Sequence, residues 1–258
     1  MARQIRRADY WLVAFLIVVL WLAVSVALYI WKGKDAGAIG DIFGAVNALF
    51  SGLAFGGLIF AILLQREELE LQRNELRDTR REFETQNKTL ATQLFENTFF
   101  QLLRSHHDIV RALEMGSGDN RAAGRVCFDR LFNDMDRIYK NWQSVQSPPP
   151  QAQYAWGPYE TMYGSHEWLL GHYFRQLYHI IKFVNDSQIE DKRRYCKFVR
   201  AQLSSFELSL LFYNCLSSYG RDNFKPLVEQ YALLQNMNHE RVLDKAHRRL
   251  YEKSAFGE

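Results

Sequence analysis

Cysteine is scarce in this chain, three in 258 residues with no CxxC pair, which excludes a disulfide scaffold and makes free thiols the default. Proline is absent before Pro148, so nothing in the first half forces a long helix to stop. Excess charge of one sign is lacking too. A net charge of +3 gives no compositional case for nucleic acid as a partner. There is no Walker loop, no GxSxG, no glycine-rich dinucleotide turn, no internal repeat and no strand-like alternation. Aromatics are plentiful at 14%, which excludes a disordered chain. Long apolar runs are plentiful as well, all near the N-terminus.

The first run, Tyr10 to Trp31, is 22 residues broken only by Ser25, with aromatics at both ends. As a helix it extends about 33 Å, enough for a bilayer core of roughly 30 Å. It is too long for a signal peptide and predicts a transmembrane helix. A second run, Ile42 to Leu64, follows the ten residues Lys32 to Asp41. Gly40, Gly44, Ala48, Gly52 and Gly56 recur every four positions in or beside it, the spacing of a small-residue face for close helix packing. Asn47 and Ser51 are available for hydrogen bonds across a helix pair. Lys and Arg gather before the first run (Arg3, Arg6, Arg7) and after the second (Arg66, Arg73, Arg77, Arg80, Arg81). That bias predicts a multi-pass membrane protein with both termini cytoplasmic.

Residues 65–94 are rich in Glu, Arg, Gln and Leu, with Leu69, Leu76, Phe83 and Leu90 every seven residues and a polar companion seam. This predicts a helical stalk, a weak coiled coil that self-associates. The alternative is a lone amphipathic helix. The remainder, 95–258, keeps helical periodicity: after a break at Gly116 to Asn120 a helix runs from about Arg125 to Trp142. A loop then extends from Ser147 to about Gly164, with Tyr154, Trp156, Tyr159 and Tyr163 packing on something. Helices are expected at about 165–185, 191–218, 223–236 and 239–253. The expected architecture is all-α: a transmembrane hairpin over 1–64, the stalk, and a cytoplasmic helical domain.

Chemistry-bearing residues are sparse. His106 and His107 are adjacent and diverge by roughly 100° on a helix, and His166 with His172 lacks the HExxH spacing, so no metal or cofactor site is expected. His172, Arg175, His179 and Lys182 read as the solvated face opposite Leu170, Tyr173, Phe174, Leu177 and Ile181. Arg241 and His247 fit the Arg-x(4–6)-His pattern of helical ribonucleases of the higher-eukaryote and prokaryote nucleotide-binding class, a pattern expected by chance in so arginine-rich a chain. The segment Cys196 to Leu216 is apolar nearly all round, yet Arg200, Glu207 and Asn214 recur every seven residues with Ser204 between. Such a polar stripe on a buried helix forms an internal network or lines a ligand or partner site.

Three separated stretches carry a family resemblance: Phe95 to Leu103 (FENTFFQLL), Tyr173 to Tyr178 (YFRQLY), and Arg200 to Ser204 with Glu207, Leu208 and Leu211 to Asn214 (RAQLS, EL, LFYN). In that order they resemble the phage abortive infection family, often called AbiC-like, over about residues 95 to 237. The resemblance implies defence against bacteriophage and two N-terminal membrane spans, and it supplies no catalytic set. A non-enzymatic membrane effector is therefore expected, with a cytoplasmic domain that answers a phage-derived trigger or a partner protein. The lipid bilayer is its first partner and self-association runs through the second span and stalk. A membrane-tethered ribonuclease-like toxin and an anchored adaptor are the alternatives.

Overall fold

The computed structural model describes residues 7–30, 36–144 and 155–258, and the chain divides into two compact units between Phe83 and Glu84. Arg3, Arg6, Trp31, Lys32, Lys34, the three prolines from Pro148 and Tyr154 lie outside the described residues, as do the side chains of Tyr10, Trp11, Ser25 and Tyr29.

The first unit is built from helix α1 (Arg7–Ile30) and the N-terminal part of helix α2 (Ala36–Ala112). Neither glycine nor proline occurs between Gly57 and Gly116, so a helix begun in the apolar run has no breaker for almost sixty positions. From Phe43 onward α2 is, among the described residues, the one helix long and apolar enough to cross a membrane. The described apolar stretch of α1 is the shorter Phe15–Val24. The other expected span, Tyr10 to Trp31, lies partly outside the described residues. Leu20, Trp21 and Val24 of α1 line a small cleft with Phe43, Val46, Asn47 and Phe50 of α2. Large apolar side chains such as Leu49, Leu53 and Phe60 are about two-thirds exposed, so protein does not cover them. Farther along α2, Leu69, Leu76, Phe83 and Leu90 are each more than half exposed.

The second unit is all-α. α2 ends at Ala112, and the next residues form a two-residue antiparallel pair, β1 (Glu114–Met115) with β2 (Ala122–Ala123). The break expected at Gly116 is real: Gly116 has φ 77°, and a Cβ there would collide with the Asn120 carbonyl oxygen. Then come α3 (Val126–Ser144), α4 (Gly157–Asp186), α5 (Lys192–Gln202), α6 (Ser205–Leu216) and α7 (Lys225–Gln230). Two 3-10 segments follow, Lys245–Leu250 and Lys253–Phe256. α4 is central and packs on α3, α5, α6 and α7. Its buried face carries Leu170, Tyr173, Phe174, Leu177 and Ile181, while His172, Arg175, His179 and Lys182 are exposed, as the periodicity predicts. The start of the unit is joined to the domain by aromatic contacts. Phe95 stacks on Phe183 at 5.1 Å between centroids and meets Tyr195 edge-on at 4.9 Å, and the Tyr195 hydroxyl donates to Glu96 Oε1 at 2.7 Å.

Five expectations are corrected. The loop does not reach Gly164, because α4 begins at Gly157 with Pro158 in its first turn, where a missing N–H costs nothing. The packing expected of Tyr159 and Tyr163 does occur, both being buried. The helix expected to begin at 165 is the continuation of α4 past a kink at His166 (φ −129°, ψ 20°). The helix expected over 191–218 is two helices, because Ser204 leaves helical geometry to cap α6. The stretch 223–236 is helical only over α7, followed by turns in which Ala232 takes φ 52°. The region 239–253 holds no α-helix. Asp244 accepts from the Ala246 amide, and the tighter i→i+3 bonds of a 3-10 helix follow.

Candidate functional site

The Ser-x-x-Glu sequence at the start of α6 folds as a reciprocal cap. The Glu207 amide donates to Ser204 Oγ at 3.3 Å, and the Ser204 amide donates to Glu207 Oε2 at 2.7 Å. Glu207 has no exposure to water, so its charge needs partners beyond the cap. Tyr173 on α4 donates its hydroxyl to Glu207 Oε1 at 3.1 Å, and Arg125 Nε lies 3.5 Å from Oε2. Arg125 follows Gly124 (φ 60°) out of the β2 turn, and its Nη2 also donates to the Gln202 carbonyl at 2.6 Å. Burial, and then the Glu207 charge, push the Tyr173 hydroxyl well above the usual phenol range, so it stays protonated and donates.

Against Tyr173, with ring centroids 4.9 Å apart, lies His106 near the end of α2. It is 2% exposed, and neither ring nitrogen has a hydrogen-bond partner. Burial lowers its pKa to about 4, helped by the nearby charges of His107 and Arg125. The imidazole is therefore neutral at physiological pH. The buried His106, Tyr173 and Glu207, with the half-exposed Arg125 at their edge, join α2, α4, α6 and the β2 turn into one polar centre.

The expected polar stripe is not one surface. Arg200 belongs to α5, while Glu207 and Asn214 belong to α6, and each takes different partners. Asn214 Nδ2 donates to the Tyr159 hydroxyl at 2.9 Å. A Cβ at Gly220 would sit 2.7 Å from Asn214 Oδ1, so only glycine permits this close return of the chain. Asn214 also lines a cavity of about 280 Å³ with Glu167, Arg175 and Tyr178. Arg200 Nη1 donates to the Ala232 carbonyl at 2.9 Å, while its Nε is buried without a partner. Burial lowers the Arg200 pKa and pushes the neighbouring Cys196 thiol up to about 12, leaving that cysteine an inert thiol. Ala232, left-handed without being glycine, carries strain of about 1 kcal/mol.

Arg241 and His247 are engaged separately. The Arg241 guanidinium lies over the Phe206 ring at 4.1 Å, and its carbonyl accepts from Ser209 Oγ at 2.7 Å. His247 is buried, with Nδ1 3.2 Å from the Tyr213 hydroxyl, and burial lowers its pKa. Neither residue lies on an α-helix. In the first unit, Gly44, Ala48, Gly52 and Gly56 are exposed, and a Cβ at any of the three glycines would meet nothing within 4 Å. Among the described residues no group of three or more His, Cys, Asp or Glu could hold a metal ion.

Sequence reasoning singled out Ser204, Glu207, Asn214 and Arg200 as polar residues on buried helices, and it missed their partners. Tyr173 read as plain core, Tyr159 as a loop aromatic packing on something, and Arg125 as an ordinary helix start. The missed signal was local: Ser204-x-x-Glu207 ahead of an apolar run is a capping box, and it marks both the helix break and the reason for the buried carboxylate.

Residues 165–242 match the family model described as "Putative phage abortive infection protein", which bears out over that segment the resemblance read from the sequence. The segment holds most of α4 with all of α5, α6 and α7, and so contains Tyr173, Arg200, Glu207 and Asn214. Searches among curated proteins and among solved structures find no match.

Proposed function

We propose that this chain, whose residues 165–242 match the abortive infection family, is a membrane-anchored anti-phage defence protein in which a cytoplasmic helical domain governs a membrane effector step. The observation that carries this reading is the single helix α2. It contains the uncovered apolar stretch from Phe43 and, near its other end, His106 of the buried polar centre formed with Tyr173 and Glu207 of the matched segment. A cue that changes the packing around that centre acts directly on the end of α2. Coupling requires that the cue bind two states of the domain unequally. The open small-residue face at Gly44, Ala48, Gly52 and Gly56 and the exposed heptad seam at Leu69, Leu76, Phe83 and Leu90 support self-association of α2 with a second copy. The ribonuclease-like alternative draws no support from Arg241 and His247, which have separate structural partners.

The test is membrane potential, followed with a fluorescent dye in phage-infected bacteria with and without the protein. Early depolarisation confined to cells that carry it is the expected result. Growth arrest with the potential intact would move the activity into the helical domain and overturn the membrane-effector reading.

A further inference from the structure

We infer that the cavity bordered by α5 and the C-terminal turns is a binding site for a small phosphate-bearing molecule. Three cationic side chains, Arg193, Lys197 and Arg200, border a cavity of about 300 Å³. Their spacing of four and three residues puts them on one face of α5, a helix with five Lys and Arg and no acidic residue. Among the described residues no ion pair reaches any of the three. One carboxylate, Glu258, also borders the cavity, and its Oε1 is held by Arg248 Nη2. The positive charge around the cavity is thus left without an internal counterion.

Arg200 makes the site more than a charged surface. Its Nη1 is fixed on the carbonyl of Ala232, which also borders the cavity, so the guanidinium, a planar fork suited to phosphate oxygens, is held in place at the cavity wall. Gln235 borders the same space and offers neutral amide donors, while the Gln230 amide donates to Asn185 Oδ1 and the Tyr231 hydroxyl. Three cations with neutral donors match a multiply charged anion better than a single carboxylate. The volume suits a small molecule rather than a polymer. The inference goes beyond the proposed function and does not depend on it, since binding is read on the purified chain and protection in cells.

The experiment is calorimetric titration of the full-length chain in mild detergent with inorganic phosphate, pyrophosphate and glycerol 3-phosphate, the last presenting the chemistry of a lipid headgroup. Saturable binding of at least one probe is expected. R193A/K197A should weaken it about tenfold or more while leaving the ligand-free melting temperature unchanged. R77A/R80A, which removes two charges elsewhere, should leave binding as it was. Tighter pyrophosphate than glycerol 3-phosphate assigns a soluble phosphorylated metabolite, and the reverse order assigns a lipid headgroup. No saturable binding of any probe, the same affinity in R193A/K197A, or an equal loss in R77A/R80A would overturn the site.

Discussion

A histidine with both nitrogens buried and unpaired is an expensive residue to keep, and His106 is such a residue. It protonates at about 4 in the folded chain against about 6.5 for an unperturbed imidazole, so between those limits the unfolded chain holds a proton that the folded chain refuses. Its contribution is complete above about pH 6.5 and is lost as pH falls toward 4, on the order of 3 kcal/mol in all. His247, also lowered by burial, adds a slope of the same sign. His106→Leu should therefore flatten, without abolishing, the fall in melting temperature between about pH 7 and about pH 5. At neutral pH the variant should melt no lower than the parent, because two unsatisfied polar atoms are removed. Thermal unfolding of the purified chain reads both effects, and an unchanged slope would place the titration at another group. The sequence showed that His106 and His107 could not share a metal. It did not show the burial of His106, which depends on Tyr173 arriving from a helix more than sixty residues away.

At the scale of elements, the sequence exposed the faces of helices well and their ends poorly. The apolar stripe of α4 was legible because its period repeats over many turns, whereas ends are set by one or two residues whose signals are easily overridden. Pro158 in a first turn and Ser204 with Glu207 at a cap were the overlooked signals. The 3-10 geometry around Asp244 left no comparable mark, because its short i→i+3 turns have no long-range periodicity to read. The cap also separates two roles of one carboxylate. Ser204→Ala removes one hydroxyl acceptor and should cost about 1 kcal/mol. Glu207→Ala removes the acceptor for the Ser204 amide and for Tyr173 and the partner of Arg125, and should cost about 3 kcal/mol. Denaturant titration of the two variants checks the difference. Equal costs would mean that the carboxylate serves only as a cap and that Tyr173 and Arg125 add nothing.

At the scale of the whole molecule, the small-residue spacing from Gly44 to Gly56 is legible in the sequence and stands exposed in the structure, while a spacing alone does not name what packs on it. Gly52 and Gly56 have open space where a side chain would start, and a Cβ at either position meets no other part of the described chain within 4 Å. Glycine is also the poorer helix former, so G52L/G56L should leave α2 as helical as before or more so, by about 0.5–1 kcal/mol per site. On the proposed function, loss of protection in that variant at normal protein level points to the approach of a second copy or to the arrangement of lipid around the helix. The expected outcome is normal protein level and membrane recovery with loss of protection in a phage plating assay, accompanied by loss of cross-linked dimers in membranes. Retained protection at normal protein level would remove the glycine face from the effector step. Protection lost with cross-linking intact would separate the two, leaving self-association to the exposed seam from Leu69 to Leu90 and the effector step to the face itself.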